Sequence, residues 1–155
     1  MGKQFIPDAN STLRLTYGRV EGYEPRDAIY YRPFTTVQGI LEKTTGQEPF
    51  NTPPALLQLI SQKNFDRFIN PDLDTIPVCL LYSTDTTGGN SGSPIIDADE
   101  HLVGVNFDRA WEATINDFTW SHKFSRSIGV DIRYILWILK EFAGAGHLLE
   151  EIGLK

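Results

Sequence analysis

Cysteine is nearly absent from this sequence of 155 residues, which contains Cys79 alone. A single cysteine excludes an internal disulfide framework and a cysteine-based zinc finger. Long apolar runs are missing as well, since the longest, residues 76–82, is far too short to cross a bilayer. No apolar segment after Met1 indicates a signal peptide. We therefore expect no membrane span and no disulfide scaffold.

Positive charge is also in short supply, with 14 Lys and Arg against 20 Asp and Glu and a net charge of −6. Binding to nucleic acid requires a basic surface, so we expect no nucleic-acid partner. Histidine is scarce too, and the three that occur are His101, His122 and His147. Their spacing matches no zinc-binding pattern, so we expect no metal and no other cofactor.

The residues that are present predict a mostly β fold. Apolar residues make up 41% of the chain and charged residues 22%, as in an ordinary globular domain. Alternating or β-prone segments predict strands at 12–17, 19–23, 28–32, 34–43, 78–82, 94–96, 102–107, 118–120 and 126–130. Short strands closed by a terminal helix favour a small β-barrel. We expect residues 1–10 to form a tail or linker and residues 11–155 to form the barrel lobe.

Two helices accompany these strands in the prediction. Apolar residues spaced by three and four follow Pro53 and Pro54 and indicate one intermediate amphipathic helix. A second helix begins at Asp131, which suits the N-cap position, and ends before Gly144. This C-terminal helix has the clearest apolar stripe in the sequence.

Residues 86–94, Thr-Thr-Gly-Gly-Asn-Ser-Gly-Ser-Pro, contain the strongest indication of chemistry. In such a turn the amides of Gly89, Asn90 and Ser91 can point the same way and bind an oxyanion, with the Ser91 hydroxyl as nucleophile. No lysine is present for a Walker loop, and Pro94 replaces the helix that follows a nucleophile elbow. An ordinary Gly-Ser surface loop fits this spacing equally well.

The segment Gly-Asn-Ser-Gly-Ser-Pro at 89–94 resembles the active-serine motif of chymotrypsin-fold serine peptidases. Residues 102–112, Leu-Val-Gly-Val-Asn-Phe-Asp-Arg-Ala-Trp-Glu, and the Thr-Ile-Asn-Asp at 114–117 are more specific. They resemble the bacterial dipeptidyl peptidases of family S46, particularly the dipeptidyl-peptidase 11 type that cleaves after Asp or Glu. The resemblance runs from Leu13 to the end and implies the C-terminal catalytic β-barrel lobe of a longer enzyme.

The resemblance also implies roles for individual residues. Ser91 matches the nucleophile, and the amides of Gly89 and Ser91 match the oxyanion hole. Asp108 matches the residue that binds the free α-amino group of the substrate, and Arg109 matches the residue that selects an acidic P1 side chain. Substrate binding is thus expected of four consecutive residues, Asn106, Phe107, Asp108 and Arg109. Because neighbouring strand residues face opposite sides, Asp108 and Arg109 serve one cleft only if the strand ends or bulges there.

A catalytic serine needs a base that a third group orients, and the chymotrypsin order places that histidine before the serine. No histidine precedes Ser91. We therefore expect the isolated chain to have little or no peptidase activity, with the triad His and Asp in an N-terminal barrel that precedes a helical insertion. The resemblance further implies peptide substrates with a free N-terminus, a periplasmic or cell-surface location and a homodimeric parent.

Two other functions fit the same residues. A glutamyl-endopeptidase or an HtrA-like serine protease shares Gly-Asn-Ser-Gly-Ser-Pro and cleaves within chains without requiring a free N-terminus. A non-catalytic barrel that binds peptide ends would use the same surface without a nucleophile. Blocking the substrate's amino group distinguishes an endopeptidase from a dipeptidyl peptidase. Labelling of Ser91 by a fluorophosphonate distinguishes an enzyme from a non-catalytic module.

Overall fold

The computed structural model describes residues 13–154, and these divide into two compact units. The first unit comprises Cys79–Val130 and the described residues up to Phe34. The second comprises Thr35–Val78 and the described residues from Asp131 onward. The tail predicted at residues 1–10 lies outside the described residues. None of the helices within 13–154 is long and apolar enough to cross a membrane.

Two antiparallel strands, β1 (Tyr23–Arg26) and β2 (Ile29–Tyr31), form a separate hairpin. A five-stranded sheet contains β3 (Phe34–Thr36), β4 (Pro77–Tyr82), β5 (Pro94–Ile96), β6 (Leu102–Arg109) and β7 (Ser127–Asp131). Its order is β3-β4-β7-β6-β5, and β4 pairs with β7 and β5 with β6 in antiparallel fashion. The predicted mostly β class is confirmed, although within 13–154 the sheet is open and does not close into a barrel.

Four α-helices occur among the described residues: α1 (Val37–Lys43), α2 (Pro54–Gln62), α3 (Ile132–Trp137) and α4 (Gly146–Glu151). Short 3₁₀ helices cover Asp66–Phe68 and Trp111–Asp117, and a π-helical turn at Ile138–Phe142 continues α3. The predicted start of the C-terminal helix is confirmed, because the Asp131 side chain accepts the Arg133 amide at 2.9 Å. Its end is also as predicted, since Gly144 has a φ of +63°.

Several predicted strands are wrong, among them the one at 19–23, of which only Tyr23 lies in a strand, β1. Residues 13–17 form no strand, and the side chains of Leu13, Leu15 and Tyr17 are exposed, so no partner surface stabilises an extended pairing. The strand predicted at 34–43 ends at Thr36, where α1 begins. Residues 118–120 follow the 3₁₀ helix instead, and the Phe118 amide donates to the Ile115 carbonyl at 2.8 Å.

The second unit has the larger apolar core. Its centre is Trp137, whose ring packs edge-on against Phe65 at 5.8 Å between centroids and whose Nε1 donates to the Asn64 carbonyl. The core residues come from the helices and from the segments beside them: Val37, Leu56, Ile60, Phe65, Phe68, Ile76, Trp137 and Leu149. Burial of this many large side chains supplies the main driving force for folding of the unit.

The first unit has a smaller apolar cluster and a buried cation. Tyr23, Ala110 and Ala113 form the cluster, and the Tyr23 hydroxyl donates to Glu112 at 2.6 Å. The guanidinium of Arg126, the residue before β7, donates to the Gly22 carbonyl at 3.1 Å and pairs with Glu21 at 3.1 Å. These contacts place β7 next to the segment that leads into β1, and they satisfy a charge that burial would otherwise disfavour.

Candidate active site

The loop that contains Ser91 joins β4 to β5, and we call residues 83–93 the serine loop. Its first part is anchored to β7 by buried hydroxyl groups. Thr86 Oγ1 lies 2.7 Å from Ser127 Oγ, and Ser127 Oγ donates to the Thr84 carbonyl at 2.9 Å. A buried network whose members are all hydrogen-bonded has one preferred arrangement, so it fixes the position at which the loop leaves the sheet.

The serine loop is closed by backbone hydrogen bonds. The Asn90 amide donates to the Thr87 carbonyl at 3.1 Å, and the Ser93 amide donates to the Asn90 carbonyl at 3.0 Å. The Gly92 amide donates across to the Asn106 carbonyl of β6 at 2.8 Å. The conformation of the loop therefore depends both on its own turns and on β6.

Some amides of this loop donate no hydrogen bond among the described residues. Within residues 13–154 neither the Gly89 amide nor the Ser91 amide donates a hydrogen bond. The left-handed φ of Gly89, +94°, is a conformation that glycine adopts without a steric penalty. The sequence also predicts a free Asn90 amide, which is wrong, because that amide donates to the Thr87 carbonyl. The Gly89 and Ser91 amides are the two that the resemblance assigns to the oxyanion hole, and the Gly88 amide likewise donates no hydrogen bond within residues 13–154.

The hydroxyl of Ser91 is exposed and donates to the carbonyl oxygen of Phe107 at 3.2 Å. Within the described residues, which include all three histidines, no ring nitrogen lies within hydrogen-bonding distance of Ser91 Oγ. A serine hydroxyl without a base is a weak nucleophile. Residues 13–154 thus contain the candidate nucleophile and two free amides, and they do not contain a base held against the hydroxyl.

Asn106 of β6 is buried, at 7% exposure, and it holds the serine loop against the sheet. Its carboxamide oxygen accepts the hydroxyl of Tyr82 on β4, and its Nδ2 donates to the Asn90 carbonyl at 3.1 Å. Burial raises the pKa of Tyr82 well above its ordinary value, so this hydroxyl stays protonated and remains a donor. These bonds give Asn106 a bracing role; its predicted contact with substrate stays a prediction.

Strand β6 ends at Arg109, and Asp108 and Arg109 are its last two residues. Asp108 is exposed, and its Oδ1 accepts the Arg109 amide at 2.8 Å, which leaves Oδ2 without a partner among residues 13–154. The pKa of Arg109 is raised chiefly by its hydrogen bonds to Asp117 and further by the charge of Asp108. Phe107, between this pair and Asn106, is 62% exposed and available to a ligand.

The guanidinium of Arg109 forms a two-pronged ion pair with Asp117. Nη1 donates to Oδ1 at 2.8 Å and Nη2 to Oδ2 at 3.0 Å. These side-chain hydrogen bonds raise the pKa of Arg109 and hold the pKa of Asp117 below its usual range. The 3₁₀ helix at Trp111–Asp117 brings the acid back to Arg109, eight residues along the chain.

A third carboxylate lies near this pair. Asp85, in the serine loop, is half-buried, and its burial raises its pKa although the charge of Arg109 opposes the shift. Sequence reasoning missed Asp85, Asp117 and Tyr82. Asp117 lies within the Thr-Ile-Asn-Asp segment already singled out, but only the turn of the 3₁₀ helix reveals its pairing. The position of Tyr82 in a buried strand predicted packing and gave no sign of its bond to Asn106.

One exposed turn groups side chains of the metal-binding type. Ligand atoms of Asp97, Asp99 and His101 lie within 4.8 Å of one another. The Asp97 carboxylate already accepts the amides of Asp99 and His101, each at 2.9 Å. Because all three residues are exposed, this turn is adequately explained by its own hydrogen bonds.

Known proteins resemble this chain in sequence and in fold. The model of the family Peptidase S46 matches residues 1–154. The chain belongs to the peptidase S46 family. It is 46% identical over 152 residues to the Asp/Glu-specific dipeptidyl-peptidase of Flavobacterium psychrophilum, a match that covers 97% of this chain and 21% of that protein. The dipeptidyl-peptidase 7 of Phocaeicola vulgatus is 43% identical over 147 residues. That match covers 94% of this chain and 20% of that protein.

The fold of this S46 chain is also that of a solved relative. The crystal structure of Porphyromonas endodontalis DPP11 in complex with the dipeptide Arg-Asp matches with a TM-score of 0.89 and 42% identity. That match covers 94% of this chain and 21% of the DPP11 chain. The chain therefore spans about a fifth of the length of its S46 relatives.

Proposed function

We propose that this chain is the nucleophile-bearing part of a serine dipeptidyl peptidase that releases N-terminal dipeptides with Asp or Glu at P1. The observation that carries the proposal is the arrangement around Ser91. Its hydroxyl is exposed, its own amide and the Gly89 amide donate no hydrogen bond within residues 13–154, and its loop is fastened to β6, the strand that ends in Asp108 and Arg109. An oxyanion that develops during acyl transfer is stabilised by such preorganised donors.

The proposed reaction proceeds through an acyl-enzyme. Ser91 Oγ attacks the carbonyl carbon of the second peptide bond, and the Gly89 and Ser91 amides bind the resulting oxyanion. The proton of Ser91 passes to a histidine outside this chain, and from there to the leaving amine. Water then hydrolyses the acyl-enzyme and releases the dipeptide, with the same base accepting its proton.

Two charged contacts give this reaction its selectivity. The free oxygen of the Asp108 carboxylate pairs with the α-ammonium of the substrate. This ion pair fixes the position of the N-terminus, so that cleavage occurs after the second residue. The Arg109 guanidinium forms parallel hydrogen bonds with the P1 carboxylate, a geometry that lysine does not reproduce. The curated relatives named for Asp/Glu specificity and the DPP11 complex with Arg-Asp support this assignment.

We extend the proposal to the finer properties that the resemblance implies. The fold of the catalytic portion is of the trypsin-like class, the His and Asp of the triad lie in a preceding barrel, and the parent is a homodimer in the periplasm or at the cell surface. Fractionation of the native host tests the location. Size-exclusion chromatography with light scattering of the full-length protein tests the dimer.

A substrate panel with the full-length protein tests the proposed activity. Chromogenic dipeptides with Asp, Glu or Leu at P1 are each supplied with a free and with an acetylated N-terminus. We expect turnover of the free acidic dipeptides and little turnover of the Leu or acetylated forms. Cleavage of acetylated substrates identifies an endopeptidase instead, and a lack of fluorophosphonate labelling at Ser91 identifies a non-catalytic binding module.

A further inference from the structure

Arg109 already binds a carboxylate in this structure. Asp117 accepts two hydrogen bonds from the end of the guanidinium, from Nη1 at 2.8 Å and from Nη2 at 3.0 Å. A forked pair of this kind is also the arrangement in which an arginine recognises the side chain of a bound Asp or Glu. The chain therefore presents to Arg109 a group of the same chemistry as the substrate side chain that Arg109 is proposed to select.

The charges around Arg109 favour exchange of this carboxylate over addition of another. Asp117, which is hydrogen-bonded to the guanidinium, and the nearby charges of Asp108 and Asp85 all raise the pKa of Arg109. A P1 carboxylate that joined them would be the fourth acid around one cation, and like charges at short range repel. If the P1 carboxylate replaces Asp117, the number of acids at the guanidinium does not change.

Because both side chains of the ion pair are at least partly open to solvent, breaking it for such an exchange costs little free energy. The Asp117 side chain is 53% exposed, whereas that of Arg109 is 24% exposed. Ion pairs that are open to water contribute little to stability, because solvent and salt screen them. When Asp117 leaves the guanidinium, water hydrates its carboxylate in place of the lost hydrogen bonds.

We propose that Asp117 is a displaceable stand-in for the acidic P1 side chain, and that the substrate carboxylate replaces it on Arg109. The inference rests on the proposed function and adds a residue that sets its specificity. In the empty site Asp117 holds the guanidinium in its forked orientation. On binding, it competes with acidic P1 side chains only, since a neutral side chain leaves the pair intact.

The test compares Asp117→Asn and Asp117→Ala with the unmodified full-length enzyme, using dipeptide substrates with Asp, Glu or Leu at P1. Loss of an exposed competing carboxylate should lower KM for the acidic substrates about two- to fivefold, with kcat unchanged. KM for the Leu substrate should stay the same. Asp99→Asn removes an exposed charge from the turn at residues 97–101 and should change none of these values.

Other results overturn the proposal. A higher KM for acidic substrates in both variants would show that Asp117 supports Arg109 during binding, and an unchanged KM would show that it does not compete. Circular dichroism of both variants excludes misfolding as the cause. The unmodified enzyme separates this inference from the proposed function: if it does not prefer acidic P1 over Leu, the function itself fails whatever Asp117 does.

Discussion

The hydroxyl of Tyr82 donates a hydrogen bond to the carboxamide oxygen of Asn106. Both side chains are buried, and the Asn106 amide group continues the chain of bonds to the Asn90 carbonyl in the serine loop. A buried donor and acceptor that satisfy each other fix a geometry, because breaking the pair leaves an unsatisfied polar group. The conformation of the loop next to Ser91 thus depends on a side chain of β4.

The first prediction concerns this pair. Tyr82→Phe leaves the Asn106 oxygen without its donor, and Asn106→Leu removes both of its side-chain bonds. We expect each to destabilise the chain by about 1–3 kcal/mol, measured by urea unfolding. In the full-length enzyme each should lower kcat for Asp and Leu substrates by the same factor with little change in KM, since the oxyanion amides shift.

The control for that prediction is the double variant. Because the two residues act through one hydrogen bond, their effects on kcat should be less than additive. A selective rise in KM for Asn106→Leu that Tyr82→Phe does not reproduce would indicate instead that Asn106 contacts substrate.

Ser91→Ala should abolish turnover in the full-length enzyme, with a loss on the order of 10⁶-fold in kcat. The side chain is exposed, so the melting temperature should stay almost unchanged. Ser93→Ala is the matched control in the same loop and should retain both turnover and fluorophosphonate labelling. Residual labelling of Ser91→Ala would place the nucleophile elsewhere.

Arg109→Gly should shift the preference of the full-length enzyme from acidic toward apolar P1 side chains. The loss of the guanidinium removes two charge-assisted hydrogen bonds to a P1 carboxylate and opens space beside it. The measurement is the ratio of kcat/KM for Asp and Leu substrates. Arg109→Lys keeps the charge but not the fork, and its ratio should fall between the two. An unchanged ratio in Arg109→Gly contradicts the assignment.

Two glycines should respond to alanine in opposite directions. A Cβ at Gly104 in β6 would lie 2.6 Å from the Val130 carbonyl oxygen, so Gly104→Ala should destabilise the chain by about 1–3 kcal/mol. Gly39 lies inside α1 with nothing within 4 Å of a Cβ, so Gly39→Ala should stabilise by about 0.5–1 kcal/mol. Urea unfolding of both variants measures the difference. Equal effects would show that the packing of β6 against β7 is looser than described.

Asp85→Asn should stabilise the chain at neutral pH. Burial raises the folded-state pKa of Asp85 above its value in the unfolded chain, so stability is lost as pH rises through the folded pKa. Asparagine carries no charge to bury, and its advantage in melting temperature should be largest at pH 7 and disappear below about pH 4. Asp72→Asn controls for the loss of one exposed charge. A lower melting temperature at pH 7 would show that attraction to Arg109 outweighs burial.

The elements of the first unit that bear the candidate site could be predicted because their signals are local. The strands that became β4, β5, β6 and β7 are apolar or β-branched runs between turn residues, and the Ser91 turn is rich in glycine. The N-cap at Asp131 was equally local. Each of these features depends on residues within a few positions of one another.

The contacts that complete the site depend on tertiary structure and could not be predicted. Residues 118–120 have β-prone side chains, but the 3₁₀ helix before them turns the chain away from the sheet. That same turn brings Asp117 to Arg109. The bond between Tyr82 and Asn106 joins strands that are distant in the sequence, so nothing in either segment alone indicates it.

The last four residues of β6 hold the Ser91 loop in place and also present Arg109. These two roles differ in how they respond to substitution and to a change in strand length. Asn106 is buried and fastens the turn that contains Ser91, whereas Arg109 ends the strand with its guanidinium paired to the Asp117 carboxylate. Inserting or deleting one residue in β6 would reverse which side chains face inward and would detach the turn while it moved the arginine. Under the proposed function, new P1 preferences can therefore arise by substitution at the strand's end, while changes of length within the strand would impair both catalysis and selectivity.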